Sequence, residues 1–375
     1  MNIRDAKNVS ERRKIIEREC SVSLSHIGSG SLDEAKAGAH NCENMIGATQ
    51  VPLGIAGPLS IGKKEYYIPL ATTEGALVAS VSRGCKAITE SGGAVVDSHV
   101  IGATRGPVFK VDTLAENKAL YEFIMLHFDE MKRISESTSR HLVLKKISSR
   151  GVGRYRYIRF VYETGDAMGL NMVTIATEKV VRFIEEKTGT RCLSLAGNFD
   201  VDKKPSWQNF LNNRGTKAWA EVELSRRVLS DVLKTDAQRM YDVWLSKCMI
   251  GSAMSGSMGF NAQYANVLAA FFIATGQDPA HVSECSVGIT TTEITNENGL
   301  YVSVYLPDLM VGTVGGGTGL ATQREALSIL GVKNSRELAE VTVAAVMAGE
   351  ISLLASLAEG SLAKAHQRLA RGQKI

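Results

Sequence analysis

Residues 142–195 read LVLKKISSRGVGRYRYIRFVYETGDAMGLNMVTIATEKVVRFIEEKTGTRCLSL, and the order of patterns along them decides the fold. Residues 142–147 read as a strand, Gly151 and Gly153 mark a turn, and residues 155–162 form a second strand. GDAMG at 165–169 is a loop that feeds a helix, and Leu193 begins another short strand. Just upstream, residues 115–128 have helical spacing. Helix, strand, strand, helix, strand is the order of a small split α/β unit. Residues 107–193 are therefore predicted to form a second domain set inside the first, and residues 194–206 lead the chain back.

The flanking sequence is of another kind. TTEGALVASVSRGCKAITESGGAVV at 72–96 sets Leu77, Val78, Val81 and Ile88 among small residues. That predicts a long buried helix beginning near Thr72 or Thr73, packed closely against its neighbours. Repeated glycines and prolines predict a shaped loop over 44–59, and residues 64–69 read as a strand. Residues 8–20 have the spacing of a small N-terminal helix. Beyond 206, Gly- and Ala-rich sequence predicts helices over 207–212, 262–275, 321–330 and 339–357, a strand over 300–305, and a basic tail.

Bulk numbers exclude more than they assign. With 375 residues and 44% hydrophobic content the chain can bury a large core, hiding roughly three quarters of its extended surface. A net charge of +4 is too weak to call for nucleic acid, and no basic aromatic stripe extends beyond Tyr155, Arg156 and Tyr157. Cys20, Cys42, Cys85, Cys192, Cys248 and Cys285 show neither CxxC nor zinc spacing, which reads as free thiols in a reducing compartment. The charged start lacks the apolar core of a signal peptide. The longest apolar stretch, at 267–275, is far short of a membrane span. A cytoplasmic protein with no membrane or nucleic-acid partner is expected.

An ordered set of short blocks then carries the chemistry. They are ENMIG at 43–47, VPLGIAGPL at 51–59, TTEGALVAS at 72–80, RGP at 105–107, TGDAMGLNM at 164–172 and GNFDVDKKP at 197–205. GSAMSGSMGFNAQYAN at 251–266, GQD at 276–278, GTVGGGTG at 312–319 and KAH at 364–366 complete it. In this order and over nearly the whole chain from about Asn41, the sequence resembles the class I 3-hydroxy-3-methylglutaryl-coenzyme A (HMG-CoA) reductases, the form found in archaea and eukaryotes. The resemblance implies an NADPH-dependent, four-electron reduction of HMG-CoA to mevalonate and coenzyme A, consuming two NADPH per turnover. It implies an α+β fold: a large helix-rich domain with a central helix, and an inserted nucleotide-binding domain of ferredoxin-like type. The expected boundaries are an N-terminal helical segment at 1–40, the large domain at 41–106 and 207–375, the small domain at 107–193 and the connection at 194–206.

Each chemical demand can be matched to a residue. Hydride addition to a carbonyl builds negative charge on oxygen, which a nearby cation stabilises more in the transition state than in the ground state. A Lys-Lys-Pro turn is ordinarily a solvated loop, but Lys203 matches the family's catalytic lysine, with Lys204 toward the substrate carboxylate. Glu74 would otherwise be a residue favoured by a helix dipole; it matches a proton donor or relay whose pKa burial would raise. Asp278, otherwise a turn residue, matches the aspartate between lysine and glutamate, so that the three titrate as a coupled unit. His366, otherwise a solvent-facing tail residue, matches the histidine that protonates the departing thiolate.

Arg105 and Lys247 match residues holding the HMG carboxylate, Ser80 and Asn266 line that region, and Glu43 and Asn44 match contacts on the coenzyme A side. No Rossmann fingerprint is present. Asp166, Met168, Gly169, Leu170 and Asn171 match the family's nucleotide-binding block instead. Gly315 and Gly316 lie in the loop set against the nicotinamide, and Ser139 and Arg140 match the pair placed near the 2′-phosphate. No metal is expected. Four positions depart from the family's common residues: Ser82, Ala196, Gln263 and Ala365. The resemblance also implies a homodimer or homotetramer with sites at a dimer interface, where ENMIG is the dimerisation segment and glutamate, aspartate and lysine come in part from different partners. A reductase of another acyl-CoA and a non-catalytic CoA-binding homologue are the alternatives.

Overall fold

The computed structural model describes residue 6 and residues 9–29, 32–42 and 48–360. Glu43, Asn44, the ENMIG segment, Ala365 and His366 lie outside the described residues. Ten strands are present among the described residues: β1 (Leu53–Ile61), β2 (Lys64–Ala71), β3 (Val95–Arg105), β4 (Val108–Lys110), β5 (Val143–Val152), β6 (Tyr155–Glu163), β7 (Arg191–Ser194), β8 (Arg214–Leu224), β9 (Ile289–Ile294) and β10 (Leu300–Leu309). β1 and β2 make a separate hairpin. The other eight form one sheet in the order β7-β4-β6-β3-β8-β10-β9, with β5 on β6.

β3 joins the two halves of that sheet. Residues 95–102 pair with β8, and residues 103–105 pair with β6, both antiparallel. The hand-over is at Gly102, with φ +118°, where a Cβ would stand 2.3 Å from the Tyr162 carbonyl oxygen. Only glycine fits that bulge. The inserted unit thus shares its sheet with the large part of the chain. Within the insert the order is β7-β4-β6-β5, all antiparallel, with the helices Leu114–Leu126, Phe128–Glu136 and Leu170–Thr188 packed on it. The predicted 115–128 helix runs from Leu114 to Leu126; His127 ends it with its own backbone turn, and a second helix, Phe128–Glu136, follows.

The central helix is Ser335–Glu359, longer than the predicted 339–357. Its side chains are buried almost all round, the mark of a core helix. Among the described residues it alone is long and apolar enough to cross a membrane, so the 267–275 stretch is not the longest apolar segment. Yet 78% of its most apolar window is buried inside the molecule. It packs on β3, β8 and β10 and on the helices Leu77–Glu90 and Tyr264–Thr275. Small residues do permit close packing here: a Cβ on Gly84 would sit 1.8 Å from the Ala348 carbonyl oxygen.

Three further expectations change. The 72–96 helix begins at Leu77, so Glu74 stands in the loop before it and not in its first turn. The 44–59 loop gives way to β1 from Leu53, because a bulge between Ala56 and Leu59 lets the strand accommodate Gly57 and Pro58. The large part is also less purely helical than expected, since β8 and β9 lie in it, together with β10, which runs on from the predicted 300–305 to Leu309.

Candidate active site

The loop at 197–205 is strained. Asn198, Val201 and Lys203 have φ of 61°, 53° and 56°, the left-handed region that non-glycine residues rarely adopt. Polar contacts hold it there. Gly197 N donates to Gly106 O at 2.6 Å, and Thr104 Oγ1 donates to Asp200 O at 3.1 Å. Asn209 Nδ2 donates to Val201 O at 3.0 Å, and Gln208 Nε2 donates to Phe199 O. Arg214 Nη2 donates to Asp202 Oδ1 at 2.9 Å.

Arg214 is the buried hub. Its Nη1 meets Glu284 Oε1 at 2.6 Å and its Nε donates to Thr104 Oγ1 at 2.7 Å. Burial opposes its charge, but Glu284, Asp308 and Asp202 outweigh that and keep the guanidinium charged. Asp308, at the far end of β10, has no hydrogen-bond partner among the described residues for either oxygen. Burial pushes its carboxyl well up, and Glu284 adds to that. Asp202, His281 and Glu284 offer three donor atoms within 4.8 Å of one another, but Arg214 donates to both carboxylates of that group.

On this platform Lys203 Nζ meets Asp278 Oδ2 at 2.7 Å, both side chains about one third exposed. Asp278 caps the short helix Pro279–His281, its Oδ1 accepting from Ala280 N at 3.0 Å. Burial pushes the Asp278 carboxyl up, but the Lys203 ammonium and the Ala280 N–H outweigh it and leave the pKa below the ordinary aspartate value. Lysine and aspartate therefore meet within one chain. Glu74 is exposed, and its N–H donates to Thr72 Oγ1 at 3.0 Å. Lys204 is turned back on the loop, its Nζ donating to Asp202 O at 3.1 Å.

A cleft of about 550 Å³ is lined by Pro205, two residues past Lys203, and by Lys247, Ser252, Asn261, Gln263 and Ser283 among others. Lys247 lies in a π-helical segment, Leu245–Gly251, a geometry frequent at functional sites. Arg105 is nearly buried. Its guanidinium spans Thr174 Oγ1 at 2.6 Å and Asp200 Oδ2 at 3.4 Å. Burial still raises the Asp200 pKa, because Arg105 offsets it only in part. Ser80 Oγ donates to Ser352 Oγ at 2.9 Å, and Asn266 Nδ2 reaches Gln263 Oε1 at 3.5 Å.

Gln263 fills its own local role. Its Nε2 donates to Gly349 O, and its backbone N–H donates to buried Glu350, both at 2.6 Å. Ser82 is buried in the Leu77–Glu90 helix, and Ala196 N donates to Ser194 Oγ at 3.2 Å.

The glycine loop links the pair to the GDAMG block. Gly276, just before Asp278, lies so close to Gly317 that a Cβ would meet its carbonyl oxygen at 2.4 Å. Gln277 clamps Gly312 on both polar groups: its Nε2 donates to Gly312 O at 3.0 Å, and its Oε1 accepts from Gly312 N at 2.9 Å. On the other side Thr313 N donates to Asp166 O at 2.8 Å, and a Cβ on Gly312 would meet Met168 N at 2.6 Å.

Asp166 Oδ1 accepts from Ser335 N at 2.8 Å, so its carboxylate caps the central helix. Gly169, with φ 84°, starts the Leu170–Thr188 helix without a side-chain cap, which leaves the first-turn N–H groups of Leu170 and Asn171 uncapped by side chains. Cβ positions at Gly315 and Gly316 face open space. Ser139 and Arg140 lie in an exposed turn, where Ser139 Oγ accepts from His141 N at 3.2 Å and Arg140 Nε lies 3.1 Å from His141 Nε2.

The residues that sequence reading missed are Thr104, Asp202, Asn209, Arg214, His281 and Glu284. One signal was present. β8 alternates buried and less buried positions, and that places Arg214 on the inner face with Thr216, Ala218, Ala220 and Val222. A charge on the buried face of a strand needs partners.

Residues 8–371 match the family described as hydroxymethylglutaryl-coenzyme A reductase. The chain belongs to that family. It is 50% identical to the 3-hydroxy-3-methylglutaryl-coenzyme A reductase of Methanocaldococcus jannaschii, over 96% of this chain and 92% of that one. It is 47% identical to that of Methanothermobacter thermautotrophicus, over 96% and 93%. Among solved structures, the class II 3-hydroxy-3-methylglutaryl-CoA reductase from Streptococcus pneumoniae bound to NADPH in open conformations superposes with a TM-score of 0.75. That match covers 94% of this chain and 97% of the other, and at 19% identity it speaks for the fold.

Proposed function

We propose that the chain reduces HMG-CoA to mevalonate and coenzyme A, using two NADPH, by way of the mevaldyl-CoA hemithioacetal and mevaldehyde. The observation that carries this reading is the Lys203–Asp278 pair, held on a strained loop and tied through Gln277 and Gly312 to the GDAMG block. Within a family whose archaeal members are so closely related, that arrangement suits hydride transfer to a carbonyl. The uncapped start of the Leu170–Thr188 helix and the open Gly315–Gly316 backbone suit a dinucleotide pyrophosphate. Met168 and the 315–316 turn would flank it, and Arg140 would meet the 2′-phosphate. When bound, NADPH supplies the hydride.

The chain's own part is electrostatic. Lys203 faces the carbonyl oxygen and stabilises the charge that grows on it. Asp278 fixes the Nζ position. Glu74, in its exposed loop, supplies a proton after closure over substrate or from a second copy. Lys247 and Arg105 hold the HMG carboxylate, while Lys204, Ser80 and Asn266 border it. Glu43 and Asn44 serve the coenzyme A side. His366 protonates the leaving thiolate, a task that free mevaldehyde does not require. His366→Gln should therefore slow HMG-CoA turnover far more than mevaldehyde reduction, and equal losses would contradict the role.

The order β7-β4-β6-β5 supports a ferredoxin-like reading of the insert, with domain limits near 107–193. Six free cysteines suit a reducing, cytoplasmic compartment. A homo-oligomer, dimer or tetramer, completes the proposal. Anaerobic incubation with HMG-CoA and NADPH tests the reaction: two NADPH consumed per mevalonate formed is the expected result. Turnover of other acyl-CoAs in preference, or none at all, would overturn it.

A further inference from the structure

The imidazole of His281 is fully buried and lies against the Lys203–Asp278 pair from within. Its Nδ1 is hydrogen-bonded to Glu284 Oε1, the oxygen that Arg214 Nη1 also meets. Its Nε2 has no hydrogen-bond partner among the described residues. Two carboxylate oxygens face it instead, Asp278 Oδ2 and Asp202 Oδ1, each at 3.9 Å. Asp278 Oδ2 is also the oxygen that holds Lys203 Nζ. Charged groups thus run in line: Arg214, Glu284, His281, Asp278, Lys203, with Asp202 at the side and Asp308 behind Glu284.

The geometry restricts the protonation state. A neutral imidazole donating from Nδ1 would aim its Nε2 lone pair at two anions in a buried site, where repulsion is weakly screened. An Nε2–H aimed at Asp278 removes that repulsion. It also gives an otherwise orphaned buried nitrogen a partner after a shift of less than an ångström from 3.9 Å. Among the described residues, Lys203 Nζ meets Asp278 Oδ2 and Ala280 N binds the other oxygen, so no buried donor is recorded on Oδ2.

We propose that His281 is a positioning residue for the reductive chemistry, its Nε2–H fixing Asp278 so that Asp278 in turn fixes Lys203. The proposal rests on the reductase reading for its kinetic arm and stands apart from it in its spectroscopic arm. The residue touches neither substrate nor cofactor. It acts through Asp278.

Two variants and one spectrum test this. His281→Gln keeps a buried donor, and His281→Leu removes it at similar volume. A misplaced catalytic group can cost about 100-fold in rate, and that is the fall in kcat expected for Leu, with KM for HMG-CoA little changed. Gln should recover much of it. Wild-type kcat in folded His281→Leu would overturn the proposal, as would equal losses in KM and kcat for both variants. Should Leu fail to fold, the spectrum and the kcat of His281→Gln decide. Independently of activity, the ¹⁵N shift of His281 Nε2 in selectively labelled protein, read at one fixed pH, should differ between wild type and Asp278→Asn. Identical shifts would also overturn it. A wild type inactive toward HMG-CoA but showing this coupling would sink the reductase reading and leave the His281–Asp278 link standing.

Discussion

The loop at 197–205 and the turn at 139–141 each carry a cation proposed to meet an anion, and they are built in opposite ways. Lys203 sits on a backbone with three left-handed non-glycine residues, braced by Thr104, Asn209 and Arg214. Arg140 sits in a turn where the side-chain hydrogen bonds of Ser139 and Arg140 stay within Ser139–His141. Stabilising a transition state demands a fixed position, because a displaced cation helps ground and transition states alike. Binding a phosphate demands only that a fork can reach it. On the proposed roles, strain and buried charge are concentrated at the loop that would do chemistry, and the turn that would meet the cofactor is left simple.

Breaking the brace should have the largest effect. Arg214→Met would leave Glu284, Asp202 and Asp308 without their common cation in a buried site. Removing one partner of such a network costs about 3–5 kcal/mol. We expect chemical denaturation to show a loss of that order, and turnover to fall even where the fold survives. A stability within experimental error of wild type would mean that the network does not brace the loop.

Removing what the brace presents comes next. Lys203→Ala should leave stability nearly unchanged, because the side chain is about one third exposed. It should raise the barrier for both reductive stages by about 3–4 kcal/mol, the scale of a lost oxyanion donor. The two variants thus separate presentation from chemistry. Normal turnover of HMG-CoA and mevaldehyde by the folded Lys203→Ala protein would refute the assignment.

The same contrast explains what could be read in advance. Helices at Trp207–Asn212 and Ala321–Leu330 match their predicted bounds because their ends are local events: Ser206 Oγ caps one, and Gly331 closes the other in the left-handed region. The β-hairpin and helix of the insert were legible for similar reasons. Lys203 and Asp278 were found because short blocks resembled a family, not because any periodicity placed them side by side. The brace was invisible, since Thr104, Asn209, Arg214 and Glu284 are far apart in sequence and meet only through the sheet and its packing. Glu74 was placed in a helix because apolar periodicity begins near it; the backbone turns at Ala76, with φ 85°, before the helix starts.

The smallest effect is expected at the unbraced cation. Arg140 is exposed, and among the described residues its side chain is hydrogen-bonded only within its own turn. Arg140→Ala should therefore leave thermal stability and the mevaldehyde rate at saturating NADPH unchanged. Its effect should be confined to the one group that distinguishes NADPH from NADH, the 2′-phosphate. A charge-assisted hydrogen bond contributes about 1.5–3 kcal/mol, and an exposed guanidinium screened by salt belongs near the lower end. The KM for NADPH should then rise by about tenfold at the lower bound, while that for NADH stays put, and the rise should shrink as ionic strength increases. Steady-state constants for both cofactors at two salt concentrations measure all of this. An equal change for NADPH and NADH would move the phosphate reader elsewhere on the insert. A loss of stability would show instead that the 139–141 turn is braced after all, and the contrast between the two cations would fail.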